Sequence, residues 1–194
     1  MRLASVSFLL CSFAALSYAQ SGELSVTLGE SLFKSNGLGS LSTTDLTQYR
    51  VGDGFRIGAR FTFNTKKFLG HEFGYAYSRS KLEFAGQPNS SMPTHQGFYD
   101  VLVYLTPEGS VIRPFAAGGG HFTTFVPPGA SATYGTGETK FGVNYGAGVK
   151  AKLGPKYMLR FDVRDYLTRK PFDLIGRSGS LHQIEASVGF GIFF

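Results

Sequence analysis

In the stretch His121-Phe122-Thr123 an imidazole and a hydroxyl flank a single aromatic residue. Residues two apart on an extended strand share a face, so this spacing can set a general base beside a nucleophile, the arrangement acyl hydrolysis needs. Spacing alone assigns no carboxylate to complete the set. His71 and His182 fall near strand ends on an outward phase and read as packing residues, and His95 borders a loop. The four histidines are scattered without close spacing, so neither a metal site nor a bound cofactor is expected. Cys11, the sole cysteine, lies within an apolar N-terminal stretch. Once that stretch is removed, disulfides, thiolate metal sites and cysteine nucleophiles are all excluded.

A second set of reactive side chains is more regular. Arg56, Arg60, Glu72, Asp100, Lys150, Lys152, Arg160, Asp162, Arg164 and Glu185 all occupy the phase opposite bulky apolar neighbours. Charges of both signs on one face either pair across an enclosed space or line an ion path, and in a narrow interior pairing is the expected outcome.

The elements that position these residues are strands. Period-two alternation recurs in eight segments, at about 22–33, 52–64, 70–84, 95–106, 112–125, 141–153, 157–167 and 183–194, each near the roughly ten residues that cross a bilayer as a tilted strand. The sixth is the clearest, with Phe141, Val143, Tyr145, Ala147, Val149, Ala151 and Leu153 alternating with glycine, asparagine and lysine. In the fifth, Ala116-Ala117-Gly118-Gly119-Gly120 carries no contrast from which a facing could be assigned. The connections alternate in length. Those near residues 65–67, 106–109 and 153–156 are tight turns, whereas 34–51, 85–94, 126–138 and 168–180 are long and polar. With eight strands, both termini then lie on the short-turn side.

The N-terminus reads Met1-Arg2, an apolar run from Leu3 to Leu16, then Ser17-Tyr18-Ala19, which is the pattern of a secretory signal peptide cleaved after Ala19. No segment has the continuous apolar length of a spanning helix. The division expected is 1–19 as signal peptide and 20–194 as one domain of about 175 residues. Glycine is abundant at 26 residues and aromatics reach 15 %, a mixture suited to closely packed strands with bulky residues outside. The formal net charge of +6 is spread along the chain without a basic cluster interleaved with aromatics, which argues against nucleic-acid binding.

At the C-terminus, Phe190, Ile192 and Phe194 alternate with glycine and smaller residues. That ending resembles the assembly signal of bacterial outer-membrane barrels. Together with the signal peptide, the eight alternating segments and the stretch from Asn144 through Tyr166, it resembles the small outer-membrane β-barrel family, the OmpA-like or OmpX-like transmembrane domain. The resemblance implies an all-β fold, an eight-stranded antiparallel up-and-down transmembrane barrel integral to the bacterial outer membrane, with both termini periplasmic. It further implies contact with outer-membrane lipid and lipopolysaccharide, and with the barrel-assembly machinery during biogenesis. Aromatics near strand ends, Phe68, Tyr99, Phe125, Tyr157 and Tyr166, are expected in the interfacial girdles. A surface ligand at the long loops is a further expectation, with Tyr134 as the residue to present it. The function expected is non-catalytic, with a charge-filled lumen and an envelope-structural or surface-recognition role. The rivals are a lipid A-modifying acyl hydrolase built on His121 and Thr123, a narrow ion pore, and a lipocalin-like binder.

Overall fold

The computed structural model describes residues 21–34, 37–39, 49–84, 90–128, 137–171 and 179–194. The expected signal peptide and Tyr134 lie outside this set. The described strands are β1 (Ser21–Lys34), β2 (Gly37–Gly39), β3 (Tyr49–Lys66), β4 (Leu69–Phe84), β5 (Ser90–Tyr104), β6 (Ile112–Phe125), β7 (Glu138–Lys152), β8 (Tyr157–Arg169) and β9 (Ser180–Phe193). All pairings are antiparallel; from β2 to β9 each strand pairs with its neighbour in sequence, and β1 pairs with both β9 and β3, so eight strands close on themselves. Closure removes the open edges that a sheet cannot leave unpaired in lipid.

The expected count was eight; the ninth strand is the short β2. It pairs with the upper end of β3 within the first long connection, at Gly37 to Arg50 and Gly39 to Tyr49. Strands also run further into the long connections than their polar composition suggests, since β5 already begins at Ser90 and β8 continues to Arg169.

Facing follows the alternation through the lower and middle barrel. Leu24, Val26, Leu28, Ile57, Phe61, Phe73, Val103, Val143, Phe161, Val163, Val188 and Phe190 are exposed on the outer wall, while Arg60, Glu72, Asp100, Asn144, Arg160, Asp162 and Arg164 are buried inside. Towards the long loops the chemistry of the two faces inverts. Glu30 and Lys34 on β1, Asp53 on β3, Arg79 and Lys81 on β4 and Arg169 on β8 point outward and are exposed. Phe33, Leu38, Val51, Leu82, Met92, Phe125 and Leu181 point inward and form one buried cluster. The backbone keeps its pleat while its solvent changes, because an outer wall standing in water takes polar residues and leaves the interior to apolar ones.

Two girdle assignments are corrected, one by this inversion and one by the inward phase of β8. Phe125, 1 % exposed, belongs to the inner apolar cluster, and Tyr166, 0 % exposed, lies in the lumen beside Arg56. Phe68, Tyr99 and Tyr157 are exposed on the wall.

Candidate functional site

Strand pairing brings together what sequence separates. The register sets Glu72 of β4 opposite both Thr62 of β3 and Asp100 of β5, and sets Asp162 and Arg164 of β8 opposite Ser187 and Glu185 of β9. Inward side chains at one level then meet across an interior only wide enough for side chains.

Glu72 is the hub. Its Oε2 accepts hydrogen bonds from Arg160 Nη1 at 2.9 Å and Thr62 Oγ1 at 2.7 Å, while Oε1 accepts from Arg164 Nη2 at 2.7 Å and Arg60 Nη1 at 3.3 Å. Asp162 holds Arg160 through two hydrogen bonds, Nε to Oδ2 at 2.7 Å and Nη2 to Oδ1 at 2.9 Å, and takes a third from Arg164 at 3.1 Å. Arg164 also pairs with Asp100, which Asn144 secures from β7.

Above this tier Glu185 binds Arg60 Nη2 at 2.5 Å, accepts from the Tyr166 hydroxyl at 3.0 Å and lies 3.1 Å from Arg56 Nε. Arg56 directs its hydrogen bonds to Ser78 and Gln96. Below it, Glu23 pairs with Lys150 and accepts from Asn64 Nδ2 at 2.7 Å, with Arg113 3.7 Å away. The Tyr104 ring sits under Arg113 at 3.6 Å, and its hydroxyl accepts from Lys150 at 2.9 Å.

Six basic and five acidic side chains are buried in this column. Removing a charge from water costs several kcal/mol even after relaxation, so such a column persists only if partners and hydrogen bonds surround each charge. Aromatic faces add to this, with Phe98 lying under Arg60 at 5.0 Å and Arg164 at 5.6 Å. The geometry is a cross-brace in which the carboxylates of Glu23, Glu72, Asp100, Asp162 and Glu185 are met by guanidinium, ammonium, amide and hydroxyl donors.

Nine of the ten sequence-derived inward charges lie in the column: Arg56, Arg60, Glu72, Asp100, Lys150, Arg160, Asp162, Arg164 and Glu185. Lys152 does not. It is half-buried at the short-turn mouth, with Nζ 5.8 Å from the centre of the Phe193 ring, because it is the last residue of β7 and its flexible stem can reach the rim. Glu23 and Arg113 were missed. Glu23 stands one residue before outward Leu24, so its phase was available; Arg113 precedes the contrast-free alanine and glycine run of β6, where no phase could be carried.

His121 and Thr123 do share the inner face, as their spacing requires, but they bond elsewhere. His121 Nε2 lies 2.8 Å from Thr168 Oγ1, and Thr123 Oγ1 accepts from Gln96 at 2.8 Å. Among the described residues the histidine–carboxylate pair is His182 with Asp165, at 2.8 Å on the outer wall. Phe190, Ile192 and Phe194 all face outward, and Phe194 is 67 % exposed with its backbone paired to Gly22 in both directions at 2.9 Å.

A closed antiparallel barrel, apolar outside and charged within, defines an integral membrane protein that crosses the bilayer on strands. The model of the outer membrane protein β-barrel domain matches residues 3–194, and the chain belongs to that family. Its fold is similar to OprG from Pseudomonas aeruginosa, with a TM-score of 0.63 at 14 % identity over 90 % of this chain and 95 % of that one. Neisserial surface protein A is similar at a TM-score of 0.56 and 15 % identity, covering 90 % and 97 %. Ail, the attachment invasion locus protein of Yersinia pestis, gives 0.52 at 12 % identity over 90 % and 98 %. No curated protein sequence matches the chain significantly.

Proposed function

We propose that this outer-membrane barrel is a closed, non-catalytic envelope protein whose charged column seals the lumen and whose long loops face the cell exterior, with both termini periplasmic. The observation that carries this reading is the stacking of seals. The Glu23 tier, the Glu72 tier and the Glu185 tier occupy successive levels of the lumen, and the apolar cluster around Phe125 and Met92 lies above them. An ion entering this interior would have to displace a buried pair at every tier. The hydrolase alternative loses its footing, because His121 and Thr123 face the lumen with other partners and not the lipid acyl chains. Contact with lipopolysaccharide is supported by the basic residues Lys34, Arg79, Lys81 and Arg169 on the loop-end wall, at the depth where its phosphates would lie. A surface-recognition role for the loops is supported by the fold's likeness to a protein named for attachment and invasion.

Planar-bilayer recording on inserted protein tests the seal. No discrete conductance steps are expected; reproducible single-channel openings would overturn it. Photo-crosslinking from a probe at Tyr134 in living cells tests recognition. A discrete protein or glycan adduct supports it, and adducts to lipopolysaccharide alone leave the envelope-structural role.

A further inference from the structure

The two ends of the barrel carry their charge differently. At the loop end the described bases are interspersed with Glu30, Asp53, Glu83, Glu138 and Asp165. At the turn end, among the described residues, the charged side chains beyond the buried column are Lys66, Lys67 and Lys156, with Lys152 at the lumen mouth, against Glu108, which accepts a hydrogen bond from Ser21.

These lysines are not scattered around the rim. Lys66 and Lys67 belong to the β3–β4 hairpin, and Lys152 and Lys156 to the β7–β8 hairpin. In the closed order β1, β3, β4, β5, β6, β7, β8, β9 those hairpins are four strands apart, on opposite sides of the barrel.

Their depth is set by their neighbours. The apolar wall shows no inversion at this end and continues into the turns, where Phe68 is 48 %, Leu105 76 %, Val111 65 % and Leu153 53 % exposed. Side chains of that kind belong in lipid or its interface, so the turns sit at headgroup level with the ammonium groups among them. Three of the four lysines are exposed, and the fourth, Lys152, lies against Phe193 at the mouth.

We infer that the two opposed lysine pairs bind the phosphates of anionic phospholipid in the periplasmic leaflet, and so fix the depth and tilt of the barrel. The inference rests on the proposed orientation for the identity of the leaflet, while the charge and depth arguments stand without it. Two anchors across a diameter resist tilting, as one on a single side would not. A lysine near an anionic surface contributes about a fivefold preference.

The test uses the protein folded in nanodiscs of equal phosphatidylcholine and phosphatidylglycerol, with the lipids retained around it counted by mass spectrometry. Several-fold enrichment of phosphatidylglycerol is expected for the wild type, falling to the bulk ratio for the combined variant Lys66→Gln, Lys67→Gln, Lys152→Gln, Lys156→Gln. The combined Lys→Arg variant should keep the enrichment. Should the glutamine variant fail to fold, the two hairpin pairs are changed separately, each expected to remove about half of the effect. Enrichment that survives these changes, or is lost instead with Arg79→Gln and Lys81→Gln, overturns the inference. So does competition by inorganic phosphate beyond that of chloride at equal ionic strength, which would mark a soluble-anion site. An epitope inserted at Gly154 and probed on intact and permeabilised cells tests orientation by itself. Labelling of intact cells would overturn the periplasmic leaflet while leaving the lipid preference measurable.

Discussion

The middle of the lumen and its loop end are both filled with buried side chains, of opposite chemistries. Around Glu72 the interior is held by charge, with that one carboxylate shared among the guanidinium groups of Arg60, Arg160 and Arg164. Around Met92 and Phe125 it is held by apolar packing, as in a small soluble core. The same eight strands build both, and what differs is the medium outside. Where the outer wall meets lipid, apolar residues are needed there and the polar set is turned inward; where it meets water, the requirement reverses. The difference teaches that the alternation encodes a contrast between faces, and that the direction of the contrast depends on depth.

The largest effect that would probe this comparison is Glu72→Gln. It leaves Arg60, Arg160 and Arg164 without their shared anion, and a loss of about 3–5 kcal/mol in urea unfolding from detergent or vesicles is expected. A loss below about 1 kcal/mol would mean that Asp162 and Asp100 alone suffice to hold the charged tier. Met92→Ala should cost about 2–5 kcal/mol through the cavity it leaves, with faster amide exchange confined to the loop-end strands. Exchange that quickens equally near Glu72 would show that the two closures form one unit. The smallest change is expected when a buried pair is removed whole. Glu23→Gln with Lys150→Met should stay within about 1 kcal/mol of the wild type while each single change costs more, a coupling that a double-mutant cycle measures directly. Additive single effects would instead mean that Glu23 and Lys150 act through their other partners, Arg113, Asn64 and Tyr104.

Most of the charged tier was legible because β3, β4, β7, β8 and β9 carry a strong contrast at every second residue. Arg113 was not, since Ala116 to Gly120 gives β6 nothing to distinguish its faces; there the register is set by pairing, with Gly119 opposite Asp100 and Gly118 opposite Val101. The apolar tier was missed for another reason. Equating apolar with outward is correct only within the bilayer, and it put Phe125 in a girdle, whereas Tyr166 was placed there for its position near a strand end although it shares the inward phase of Arg160, Asp162 and Arg164. The inversion can still be read in pairs such as Leu82 beside Lys81 and Phe33 beside Lys34, once the strands are continued past the lipid. No local signal announces β2, whose three residues depend on the neighbouring edge of β3.

The pairing of β1 with β9 joins the two ends of the described barrel. Glu23 meets Phe193 and Leu24 meets Ile192, so the first described strand waits for the last before the ring can shut. Contacts between such distant parts of a chain form late and slowly, because a long loop must be closed before they return any free energy. Until then both margins present unpaired backbone groups, which associate readily with other chains. The seam is the contact of longest reach among the described strands, and the exposed aromatics Phe190 and Phe194 stand on the outer wall beside it.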